Sequence, residues 1–66
     1  MQLNWTDTTD IAIELEEKHS DVDVVNIRFT DLFSYIMNLE NFSGDKKNCN
    51  EKILEAIQMA WLDERG

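Results

Sequence analysis

Proline is absent from this chain, and glycine occurs only at Gly44 and Gly66. These two residue types are the strongest local breakers of regular structure, so helices joined by short connections are what the sequence favours. A chain of 66 residues makes one domain at most, and a single domain over 1–66 is expected. At this size only about 60% of the unfolded surface is buried on folding, which leaves a thin stability margin and one core of about a dozen side chains. A deep cleft with a complete catalytic shell does not fit into so little material, and no enzyme activity is expected. The composition is globular all the same: 42% of residues are apolar and 30% charged, with two Trp and three Phe to anchor a core. Disordered chains are poorer in both aromatics and aliphatics.

Charge is the strongest compositional signal. Fourteen acids against six bases give a formal net charge of −8. Such a chain repels phosphate backbones and anionic membrane surfaces, and six scattered bases do not make a nucleic-acid-binding face. Its natural partners are basic protein surfaces and cations. Acidity also simply keeps a small protein soluble, and charge alone does not separate recognition from solubility. The single cysteine, Cys49, excludes an internal disulfide and a Cys-rich zinc site and fits a reducing compartment. No apolar run is long enough to span a membrane, and the N-terminus lacks a basic-then-apolar leader pattern, so a cytoplasmic monomer is expected. Arg65 and Gly66 are expected to fray.

The periodicity predicts three main helices. The first runs from Asp7 to His19, capped by Thr6 or Asp7, with Ile11, Ala12 and Leu15 inward and Leu3 and Trp5 closing over that face. Ser20–Asp23 is a polar turn, and Asp23 is placed to cap a short helical turn through Val24, Val25 and Asn26. Ile27-Arg28-Phe29 reads as a short extended segment. Thr30 is a good cap for a second helix over Asp31 to Leu39 or Glu40, with Leu32, Ile36 and Leu39 as its stripe and Phe42 as a core plug. Residues 43–47 form the clearest loop. In the third helix Asn48 and Glu51 have capping-box spacing, Ile53, Ile57 and Trp61 recur every four residues, and Leu54, Ala56 and Ala60 widen the stripe. The pattern fits a three-helix bundle and a winged-helix-like fold alike, and only the Ile27–Phe29 segment favours the second.

At about 100° per residue, Asp7, Asp10, Glu14 and Glu17 fall within an arc of roughly 80° on the first helix. Successive carboxylates stand one turn apart, where like charges cost a few tenths of a kcal/mol per pair. A cation or a basic partner relieves that repulsion. Fe²⁺, Mn²⁺, Ca²⁺ and Mg²⁺ all accept carboxylate oxygens, but one exposed helical face makes no closed cage, so binding would be weak and poorly selective. A solvated face is the plainer reading of the same pattern. His19 is the lone imidazole, near a helix end where partial burial or the helix dipole accounts for it. Cys49 beside a helix start can have a lowered pKa, and with His19 it is a formal nucleophile–base pair, although a lone Cys is more often incidental.

Beyond these patterns, the wording of the sequence resembles the IscX family almost from end to end. Leu3-Asn4-Trp5-Thr6-Asp7 is similar to that family's opening motif, Asp21-Val22-Asp23 to its acidic turn, and Ile27-Arg28-Phe29-Thr30-Asp31-Leu32 to its central signature. Leu39-Glu40-Asn41-Phe42 with Asp45, the run from Asn50 to Gln58, and Trp61-Leu62-Asp63-Glu64 continue the match. Ser20 and Lys46 depart from it, standing where the family pattern has proline. The resemblance implies a winged-helix-like, mainly helical fold and an accessory role in iron–sulfur cluster assembly. It further implies docking of acidic surface on a basic patch of cysteine desulfurase, weak binding of ferrous iron without a tightly bound cofactor, modulation of sulfur transfer, and competition with a frataxin-type protein. Carried onto this chain, the candidate iron ligands are Asp7, Asp10, Glu14, Glu17, Asp31 and Glu40. The candidate partner-binding acids are Asp7, Asp10, Glu14, Asp21, Asp23, Asp31, Glu40, Asp63 and Glu64. Asp7 stands at a motif position and Asp10 and Glu17 match positions that are acidic in the family pattern, whereas Glu14 comes from the helical wheel; Cys49 falls where no thiol is required. The alternatives are a winged-helix nucleic-acid binder and a generic acidic interaction module with no iron role.

Overall fold

A computed structural model describes residues 2–66. Three helices form: α1 over Thr8–Lys18, α2 over Phe29–Met37 and α3 over Glu51–Arg65, with a 3-10 turn at Lys46–Asn48 before α3. The mainly helical, three-helix chain expected from the sequence is the one that folds. α1 packs chiefly on α3, and α2 lies across the pair with smaller contacts to each. The core is twelve apolar residues among those described: Ile11, Ala12 and Leu15 of α1, Leu32 and Ile36 of α2, Leu54, Ile57 and Trp61 of α3, and Leu3, Trp5, Val24 and Leu39 from the connections. Among the described residues, no polar or charged residue is buried with them. Ile53 and Ala60 flank this core half-buried, whereas Ala56 faces solvent, so the inward stripe of α3 is narrower than the alanine spacing suggests.

The sole β element among the described residues is an isolated parallel bridge between Leu3 and Phe42. Leu3 donates to the Asn41 carbonyl at 2.7 Å, and its own carbonyl accepts from Ser43 N–H at 2.8 Å. This pins the N-terminal arm beside the segment that leaves α2. Trp5 completes the join: its indole N–H donates to the Asp45 carbonyl at 2.7 Å, and its ring meets Phe42 edge-on at 4.7 Å. Gly44 makes this packing possible, because a Cβ there would stand 2.5 Å from Phe42 Cζ and 2.9 Å from Trp5 Cδ1.

Five local expectations change. Asp7 is the N-cap residue of α1 but does not cap it with its side chain; instead its carboxylate accepts from Asn4 N–H at 2.8 Å. The segment after Asp23 makes a turn, not helix: Asp23 accepts from the Asn26 side chain at 2.9 Å and Val24 tucks into the core. Ile27-Arg28-Phe29 forms no strand, since no second strand is available to pair with it; Arg28 is extended and Phe29 already opens α2. Arg28 rather than Thr30 is therefore the N-cap, and no side chain caps that helix. At α3 the cap is Asn50, whose side chain accepts from Ile53 N–H at 2.9 Å. Asn48 is taken up by the 3-10 turn, where its N–H bonds the Asp45 carbonyl at 2.9 Å.

Candidate functional site

The inward face of α1 fixes what its other faces can do. With Ile11, Ala12 and Leu15 buried, the wheel turns Asp10, Glu14 and Glu17 to the outer side. Asp10, Glu14 and Glu17 line a shallow groove of about 250 Å³, together with Leu3, Ile13 and Asn41. Asn41, on the segment pinned by the Leu3 bridge, donates through Nδ2 to Glu14 Oε1 at 3.1 Å. Glu14 is thus half-buried and held, while Asp10 and Glu17 are exposed. Leu3 and Ile13 are the apolar residues of its lining, and Ile13 remains 38% exposed.

Asp7 does not join this row as a free charge, because its carboxylate is turned back onto the Asn4 amide. Asp31 sits in the first turn of α2, and Glu40 is exposed beside Asn41 without lining the groove. Asp21, Asp23, Asp63 and Glu64 are all exposed on other parts of the surface. Asp23 is held by Asn26, whose side-chain and then backbone hydrogen bonds keep its carboxyl below the ordinary value. The candidate acids therefore do not converge: among the described residues no three His, Cys, Asp or Glu come together as a group able to hold a metal ion. Nor are they neutralised, for only Asp45, with Lys47 at 3.8 Å, and Glu16, with Arg65 at 2.9 Å, have an ion-pair partner among the described residues.

Glu16 is the carboxylate that sequence reasoning passed over. It lies on the far flank of the apolar face, about half a turn of the wheel from Asp7. Its Oε1 accepts from Trp61 Nε1 at 2.9 Å and from Arg65 Nε at 3.0 Å. Those hydrogen bonds, Trp61's first and Arg65's second, hold the Glu16 carboxyl below its ordinary value. Arg65 also donates to the carbonyls of His19, at 3.1 Å, and Val22, and lies over the Trp61 ring at 5.6 Å. The expectation that Arg65 frays is overturned, because its guanidinium satisfies carbonyls beyond the C-terminal end of α1 that no helical partner reaches. The available signal was a cation in the last turn of α3 and an acid on the α3-facing flank of α1.

The formal nucleophile–base pair of Cys49 and His19 does not assemble either. His19 is half-buried against Tyr35, ring centroids 4.4 Å apart. Cys49 lies in a different setting, among Phe29, Phe33 and Leu54, and burial pushes its thiol up, not down. A helix start lowers a thiol pKa only when the charge is not outweighed by apolar surroundings. No helix among the described residues is long and apolar enough to cross a membrane.

Comparison with known proteins gives this geometry its setting. The family described as iron-sulphur cluster assembly matches residues 3–66. The Pseudomonas aeruginosa protein PA3808, described as uncharacterized, is 46% identical over 65 residues that cover 98% of each chain. With nearly its whole length matched and its opening, central and closing motifs in order, the chain belongs to the iron–sulphur cluster assembly family, that of IscX.

Proposed function

We propose that this chain is a non-enzymatic adaptor of iron–sulphur cluster assembly that docks the Asp10–Glu14–Glu17 face of α1 on a basic patch of cysteine desulfurase and so tunes sulfur transfer. The observation that carries this reading is a row of carboxylates one turn apart, without an ion-pair partner among the described residues, beside an exposed apolar Ile13. Repulsion along the row is relieved by cations from outside, and the exposed Ile13 adds contact area that a purely solvated face would not need. Ferrous iron is the second ligand of the same face. The separated carboxylates suit a hydrated ion held loosely, which makes iron a competitor of the basic partner for the same charges. Asp21, Asp23, Asp31, Glu40, Asp63 and Glu64 extend the negative field that steers the encounter, and a frataxin-type protein competes for the same basic patch. The charge balance disfavours a nucleic-acid partner.

The test is binding of purified cysteine desulfurase by the whole chain and by the Asp10→Asn, Glu14→Gln, Glu17→Gln variant. Removal of three rim charges is expected to weaken binding about tenfold or more and to flatten its salt dependence. The variant should be as stable as the parent, since like-charge repulsion on α1 is removed. Unchanged affinity would place the docking surface elsewhere. Asp7→Asn is a poorer probe, because it disturbs the Asn4 turn.

A further inference from the structure

The acidic face of α1 is not built by α1 alone. Asn41, in the segment that leaves α2, lines the same groove as Asp10, Glu14 and Glu17. The main chain around it is fixed: the Asn41 carbonyl accepts from Leu3 N–H at 2.7 Å, and Ser43 N–H donates to the Leu3 carbonyl at 2.8 Å. The next side chain, Phe42, turns its ring to Trp5, while the Asn41 amide reaches α1. The arm that carries Leu3 and Trp5 thus sets where that amide stands.

A carboxylate has no hydrogen to give, so the asparagine must turn its NH₂ toward it. Asn41 Nδ2 accordingly donates to Glu14 Oε1 at 3.1 Å, in a half-buried contact between residues 27 apart in the chain. Glu14 is half-buried there, whereas Asp10 and Glu17, one turn away on either side, are exposed. The bond engages one carboxylate oxygen and leaves the other for a second donor. The choice of a neutral donor matters. Lysine or arginine at this place would also hold Glu14 but would cancel its charge; an amide fixes the carboxylate and keeps the row fully negative.

We propose that Asn41 is a positioning residue of the docking face: it fixes Glu14 in advance, so that Glu14 is the anchor for a basic side chain of the desulfurase and Asp10 and Glu17 are the steering rim. This rests on the docking of α1 proposed above, and it makes the exit of α2 part of the recognition surface. A carboxylate that is already held gives up little side-chain freedom on binding, whereas a free glutamate has to be ordered by the partner. Held anchors act mainly on the dissociation rate. Exposed rim charges act mainly on the association rate and its salt dependence.

The experiment measures association and dissociation rates of the whole chain on purified cysteine desulfurase. Asn41→Ala changes no charge, so it should associate like the parent and dissociate about three- to tenfold faster. Asn41→Asp adds a negative charge but loses the donor and repels Glu14. It should therefore bind more weakly than the parent, whereas a face acting through charge alone would bind more tightly. In a Glu14→Ala background, Asn41→Ala should have no further effect. The bond to Leu3 uses only the main chain of residue 41, so these variants keep the fold. In the free chain, Glu14→Ala should shift the side-chain NH₂ resonances of Asn41, which reports the bond without any partner. Equal dissociation of parent and Asn41→Ala, tighter binding by Asn41→Asp, the same loss with and without Glu14, or unmoved NH₂ resonances would overturn the proposal. Failure of the docking reading itself looks different: the parent does not bind, or the Asp10→Asn, Glu14→Gln, Glu17→Gln variant binds as the parent does, and the role of Asn41 falls with it.

Discussion

The Arg65 guanidinium closes several open ends at once. It pairs with Glu16, donates to the carbonyls of His19 and Val22, and covers the Trp61 ring. Arg65→Ala leaves the Val22 carbonyl without a donor and the His19 carbonyl with Val22 N–H alone, and is expected to lower stability by about 1–3 kcal/mol, read as a lower urea midpoint at unchanged slope. A frayed terminus would show no change. Glu16 adds a pH dependence whose sign is fixed. Its folded carboxyl lies below the ordinary glutamate value of 4.5, so the unfolded chain takes up the proton first on acidification. The contribution is complete above that value and is lost as pH falls through the lower folded value. The stability gap between the parent and Glu16→Gln should therefore be constant near neutrality and narrow below about pH 4.5, measured as urea midpoints against pH. The sequence offered the two charges but not their pairing, because α1 and α3 carry the partners at opposite ends of the chain and only folding brings Glu16 to Arg65.

At the scale of elements, interiors were legible and ends were not. Spacing of Ile11 with Leu15, Leu32 with Ile36, and Ile57 with Trp61 placed all three helices, because burial of one stripe is a sum over several residues. A helix end depends instead on one competing hydrogen bond. Asn48 and Asn50 offer identical chemistry two residues apart, and the 3-10 turn begun by Asp45 decides between them. Asn50→Ala should cost about 1 kcal/mol, whereas Asn48→Ala should be near neutral; thermal melts of the two variants rank them, and the reverse order would restore Asn48 as the cap. The candidate site divides in the same way. The wheel found Asp10, Glu14 and Glu17, since their direction follows from the helix alone. It could not find Asn41, which reaches Glu14 from a distant segment, or the reversal of Asp7 onto Asn4.

Across the whole molecule, charge separates into a negative α1 face and a less acidic, apolar corner near the start of α2. An acidic chain of average composition need not show this polarity; it arises because α1 contributes acids to one surface while Arg28, Lys46, Lys47 and Lys52 cluster in the segments around another. The pairing of α1 with α3 has a consequence for how the chain reaches this state. Its most extensive helix pair joins the two ends of the sequence, so the whole of 19–50 must be drawn into a loop before either helix gains its principal neighbour. The entropy of that closure is lost before burial repays it, which makes the α1–α3 encounter the slow event and leaves α2 to dock on the result. Amide hydrogen exchange should accordingly be slowest at Leu15 and Ile57 and faster throughout α2; equal protection of all three helices would mean that they assemble as one unit. Lengthening the 19–50 connection with flexible residues should then slow folding while costing little at equilibrium, since doubling a loop costs only about 0.6 kcal/mol. Tempo and stability in this small chain are set by different parts of it.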